Sequence, residues 1–139
     1  MTEHTLKQQQ SQITNKDAIF YKNELFTYYK SGLTRHVFVN KDKTKVIKSL
    51  ISDKTFAKDY NKEEQQIYID ADIETKLLMA ETTLSLEGFI EQEFCTPLKE
   101  SDNVLTLKQI LFASSCRNEV GWTKDNRLVC FDLDEFKKY

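Results

Sequence analysis

Glycine and proline are scarce in this sequence, three and one among 139 residues, and cysteine and histidine are nearly as rare, at three and two. Cys95, Cys116 and Cys130 are odd in number, lack a C-x-x-C spacing and have neither His4 nor His36 close by in sequence, which argues against a structural zinc site or a disulfide scaffold. Charge of one sign is lacking too. Lys plus Arg total 20 against 22 Asp plus Glu, and the formal net charge of -2 offers no global attraction to nucleic acid or to anionic lipid. No run of about 18 apolar residues occurs. The N-terminus has no apolar signal core either, so a cytoplasmic protein in a reducing compartment is expected.

What is present is a chain 40% hydrophobic and 12% aromatic, enough for one domain with one core. Residues 1–16 are polar and rich in glutamine (Gln8, Gln9, Gln10, Gln12), a composition that cannot offset the entropy of ordering and reads as a flexible tail. Residues 17–139 are expected to form the single domain. Residues 18–29 are dense in aromatics, and 25–30 reads as a strand broken by Ser31-Gly32. The β-branched runs 37–39 and 46–47, joined by Asn40-Lys41-Asp42-Lys43, predict a hairpin and so three antiparallel strands in succession. Past Ser52 the period changes: Phe56, Tyr60, Glu64, Ile67 and Ala71 form one face of a helix with Ser52 or Asp53 as N-cap. Residues 77–86 and 88–94 predict two more strands turning at Leu86-Glu87-Gly88, and Pro97 marks the exit from the sheet. Residues 104–115 have helical spacing, with Ser101 or Asp102 as cap.

Residues 117–134, R-N-E-V-G-W-T-K-D-N-R-L-V-C-F-D-L-D, predict a tight hairpin with its turn at Lys124-Asp125-Asn126. Asp132 and Asp134 follow the second strand. Acids at such a place either hold a metal ion or polar ligand, or simply keep an apolar run soluble, and the pattern allows both. The whole is an α+β chain: an antiparallel five-stranded sheet with one packed helix, followed by a short helix and a β-hairpin.

This order resembles the small lobe of the protein kinase fold followed by a truncated large lobe. Residues 31–37, S-G-L-T-R-H-V, resemble the glycine-rich loop, with Gly32 on the middle glycine of G-x-G-x-x-G-x-V and Lys30 and Arg35 on the other two glycine positions. Lys45-Val46-Ile47-Lys48 resembles V-A-I-K, so the resemblance makes Lys48 the phosphate-pairing lysine and Glu64, or its neighbour Glu63, its ion-pair partner. Residues 91–95, E-Q-E-F-C, resemble the hinge that meets a purine through its backbone, at Glu93 and Cys95. Residues 128–133, L-V-C-F-D-L, resemble the strand leading into D-F-G, with Asp132 as the magnesium-binding aspartate and Asn118, fourteen residues earlier, as the second metal-binding residue. A turn asparagine is the competing reading of Asn118. Short kinase-like chains of this kind resemble proteins encoded by bacteriophages.

The departures bear on function. No H-R-D precedes the hairpin, and residues 110–117, I-L-F-A-S-S-C-R, hold no aspartate to take a substrate's hydroxyl proton, so no catalytic residue is assigned. The chain stops seven residues after Asp132, leaving no activation segment or peptide-substrate platform. The expectation is a non-catalytic, pseudokinase-like protein that binds and modulates a partner protein, a host protein if phage-encoded, with no cofactor and no membrane. The alternative is a minimal phosphotransferase using ATP and magnesium. A third reading, nucleic-acid binding by Lys41, Lys43, Lys45 and Lys48, is disfavoured by the overall charge.

Overall fold

The computed structural model describes residues 18–32, 34–51, 59–99, 105–133 and 136. Its strands and helices run in the order β1 (Ala18–Tyr21), β2 (Glu24–Ser31), β3 (Arg35–Asn40), β4 (Lys45–Leu50), α1 (Tyr60–Asp70), α2 (Ile73–Lys76), β5 (Thr82–Leu84), β6 (Ile90–Glu93), β7 (Thr96–Pro97), α3 (Leu107–Ser115), β8 (Val120–Trp122) and β9 (Leu128–Cys130). These build an α+β fold with a six-stranded sheet, ordered β1-β2-β3-β4-β6-β5, and a three-stranded sheet, ordered β7-β8-β9. Among the described residues, no helix is long and apolar enough to cross a membrane.

The large sheet has six strands where five were expected, because the aromatic segment folds back on itself. Lys22 and Asn23, at φ 49° and 61°, make a two-residue turn of the left-handed kind that matches strand twist, and β1 pairs with β2 through Ile19–Phe26 and Phe20–Leu25. Asparagine tolerates that conformation, whereas lysine rarely adopts it, so the turn carried no glycine signal. The three strands read between residues 25 and 50 are present as β2, β3 and β4, in an antiparallel meander. The β3–β4 loop is shaped by Asn40, whose Oδ1 accepts from the backbone N–H of Thr44 (2.9 Å) and Lys45 (3.1 Å) while its Nδ2 donates to Glu24.

Three further boundaries differ from expectation. The strand expected over 77–86 is reduced to Thr82–Leu84, since the short helix α2, started by Asp72 accepting the N–H of Thr75 at 2.7 Å, runs on as a turn in which the Leu78 and Met79 N–H groups donate to the Thr75 and Lys76 carbonyls. The helix expected from residue 104 starts at Leu107. Its cap is Thr106, in a reciprocal capping box with Gln109, rather than Ser101 or Asp102, which lie outside the described residues. Pro97 does leave the large sheet, but directly enters the edge strand of the small one, opposite Gly121, where its missing N–H is tolerated. The N-terminal tail and the Ser52 or Asp53 cap lie outside the described residues; Asp59 accepts the N–H groups of Asn61 and Lys62 at the start of α1.

The chain divides into two compact units, residues 1–62 with 83–92, and residues 63–82 with 93–139. The core of the first is Ile19, Tyr21, Phe26, Phe38, Ile47 and Phe89, with the Tyr21 and Phe89 rings edge to face. Each such side chain contributes about 1.5–3 kcal/mol by burial. The second unit packs Met79, Phe112, Ala113, Cys116, Val120, Leu128, Cys130 and Leu133 together, and beside them Ala80, Cys95 and Val129.

Candidate functional site

In the second unit, α1, the end of α3 and the β8–β9 hairpin bring three of the expected site residues into one neighbourhood. Glu64 is fully buried, and its Oε2 accepts the backbone N–H of Leu133 at 2.8 Å. A charged group out of water needs donors of this kind, and here the donor belongs to the residue directly after Asp132. The Asp132 carbonyl in turn accepts from the Cys130 thiol at 3.0 Å. The turn that carries Asp132 is therefore fixed by a thiol before it and a carboxylate after it.

Asn118 reaches the same end of the hairpin by a different route. The β8–β9 register pairs Val120 with Cys130, and the Phe131 N–H donates to the Glu119 carbonyl at 3.1 Å, so Asn118 and Asp132 both lie just past this end of the hairpin. Asn118 also has a purely structural task. Its N–H donates to the Ala113 carbonyl (2.8 Å) and that of Arg117 to the Ser114 carbonyl (3.1 Å), closing α3 in a Schellman motif with both residues left-handed at φ 60° and 53°. These bonds describe the turn reading of Asn118. Among the described residues, no three His, Cys, Asp or Glu side chains gather in a way that could hold a metal ion, and Asp134 lies outside those residues.

The hinge-like segment is partly committed to the sheet. Glu93 donates its N–H to the Glu81 carbonyl at 3.0 Å, and its Oε1 accepts the Glu81 N–H at 2.9 Å. Cys95 is buried with Ala80 and Val129, its thiol 3.8 Å from the Glu93 carbonyl. At the far end of the hairpin, Arg127 donates to the Leu77 carbonyl at 3.0 Å and pairs with Asp125 at 3.1 Å. Hydrogen bonding from Thr123, assisted by Arg127, holds the Asp125 carboxyl below the usual aspartate range.

Lys48 and Gly32 belong to the first unit. Lys48 is buried on β4, opposite Val37 of β3, and on the strand face it shares with Val46. Its carbonyl accepts from Asn61 Nδ2 at 3.1 Å; the same amide donates to the Gly88 carbonyl at 2.9 Å, and its Oδ1 accepts from Arg35 Nη1 at 3.3 Å. Arg35 is thereby buried as a structural group, not presented at the loop as its position in the glycine-rich pattern suggests. Gly32 is exposed, donates its N–H to the Arg35 carbonyl at 2.9 Å and has open space where a Cβ would stand. The lysine ladder is likewise broken, with Lys45 paired to Glu91 at 3.3 Å and Lys48 buried.

Sequence reasoning missed Asn61 as a junction, because an asparagine in a first helical turn looks like an ordinary capping residue. It also passed over Cys116 and Cys130 as a pair, because their spacing resembles no known motif. No known protein family, curated protein or solved structure matches this chain.

Proposed function

We propose that this chain is a pseudokinase-like binding protein: a kinase-like scaffold, without phosphoryl-transfer chemistry, that acts by engaging a partner protein. One observation carries the reading. Where the resemblance calls for a base just ahead of the hairpin, the residues are Cys116, Arg117 and Asn118, and the backbone of the last two closes α3. From Leu105 to Asn118 there is no carboxylate at all. The Glu64 carboxylate accepts the Leu133 N–H, a bond within the scaffold that supports a packing role. Arg35, bound to Asn61, points the same way. With the phage association of the resemblance, the expected partner is a host protein, met without a cofactor in the cytoplasm.

The test is phosphotransfer from γ-labelled ATP in the presence of magnesium, to water, to generic protein substrates and to the chain itself. No transfer above background is expected. Transfer that disappears in Asp132→Ala would overturn the proposal.

A second reading, magnesium–nucleotide binding with Asp132 and Asn118 on the metal, is favoured by the turn at Asp132, which the Cys130 thiol and the Glu64 carboxylate hold in place. A ligand that binds only the native state raises the melting midpoint, by an amount equivalent to about 2.7 kcal/mol at a hundredfold excess over Kd. A rise with millimolar ATP and magnesium that Asp132→Ala and Asn118→Ala both remove would establish this reading; no rise would eliminate it.

A further inference from the structure

Cys116 caps the C-terminus of α3 and Cys130 ends β9, and both are fully buried in one apolar cluster with Met79, Phe112 and Leu133. Backbone bonds hold their neighbourhoods together. The Cys116 carbonyl accepts from Glu119 N–H at 2.9 Å, and the Glu119 carbonyl accepts from the N–H of Phe131, the residue after Cys130, at 3.1 Å. Hydrogen bonding with the Cys116 thiol, reinforced by burial, raises the Cys130 thiol far above the ordinary range. The Cys130 thiol also donates to the Asp132 carbonyl at 3.0 Å. Cys95 stands apart in the cluster with Ala80 and Val129.

The geometry points to Cys116 and Cys130 as a reversible dithiol–disulfide pair, oxidised by hydrogen peroxide, whose closure withdraws the thiol donor from the Asp132 carbonyl. Neutral buried thiols are poor nucleophiles, so the reaction runs through local opening of the three-residue strands of the β8–β9 hairpin. One sulfur loses its proton to solvent and attacks a peroxide oxygen. The O–O bond breaks, a sulfenic acid forms and the leaving hydroxide takes up a proton to become water. The second thiol then attacks the sulfenic sulfur: the S–S bond forms, the S–O bond breaks and a second water leaves. Two thiols give up two protons and two electrons, and the peroxide is reduced to two waters. In the disulfide, Cys130 has no hydrogen left to donate, so the turn at Asp132 loses that bond while the Leu133 to Glu64 bond remains.

The experiment treats the full chain with excess hydrogen peroxide and follows intact mass, peptide maps and amide exchange. The expected product is lighter by about two mass units, the loss of two hydrogens. Its peptide map links residues 116 and 130, dithiothreitol restores it, and the Leu133 amide exchanges faster than in the reduced chain. Cys95→Ser retains the link, and Cys116→Ala and Cys130→Ser lose it; the map of the unsubstituted chain stands even if a variant fails to fold. Oxygen addition without a link, a link through Cys95 or between chains, or no oxidation at all would overturn the pair. Unchanged exchange at Leu133 in the linked protein would overturn its coupling to Asp132.

Discussion

Asn61 ties together three groups of the first unit, satisfying the carbonyls of Lys48 and Gly88 and the Arg35 guanidinium from a site 1% exposed. Truncation leaves buried groups without this partner and opens a small void, so Asn61→Ala is expected to cost on the order of 2–4 kcal/mol. Urea unfolding measures it, and a loss under about 1 kcal/mol with an unchanged slope would mean that water replaces the amide freely. Arg117 offers the opposite case. It takes the left-handed position of the α3 cap, where glycine has no Cβ penalty, so Arg117→Gly is expected to stabilise the chain by roughly 0.5–1 kcal/mol. A lowered unfolding midpoint would show that the arginine side chain contributes more than its backbone strain costs.

At the scale of elements, the pairing of β7 with β8 depends on a close approach at Gly121, where an added Cβ would lie 2.6 Å from the Thr96 carbonyl oxygen. That oxygen belongs to backbone, which cannot swing aside as a side chain does. Gly121→Ala is therefore expected to destabilise by about 1–3 kcal/mol, while Gly32→Ala, with open space and no positive φ, changes stability by less than about 0.5 kcal/mol. Equal effects in thermal melts would contradict the packing described. The contrast also marks what the sequence made legible. Strands β2 to β4 and the β8–β9 hairpin showed as aromatic, β-branched or apolar runs between turn residues, and Lys48 and Glu64 fell on the strand and the helix expected of them. Strand β1 was hidden because its turn uses lysine and asparagine where glycine would have signalled it. The role of Gly121 was hidden because it comes from a neighbour, Thr96, that is distant in sequence. Arg35 misled for a related reason: its place in a loop pattern says nothing of Asn61, 26 residues on.

For the whole molecule, charge and exposed apolar surface decide how copies behave toward one another. The net charge is -2 at pH 7 and the isoelectric point about 5.7, so long-range repulsion is weak at neutrality and vanishes a little over one pH unit below it. Short-range apolar attraction persists across that range, because Leu86, Ile73 and Leu107 are 103%, 83% and 72% exposed and Ile110 and Leu111 adjoin Leu107 on α3. Light scattering is therefore expected to peak near pH 5.7 and to fall on either side. Two substitutions on the same helix separate the two contributions. Leu107→Glu adds one negative charge and removes an apolar side chain, whereas Ser114→Glu adds the same charge at an exposed polar position. If apolar contact drives association, Leu107→Glu suppresses the peak more strongly; equal suppression would assign the attraction to charge alone, and a profile flat through pH 5.7 would remove both.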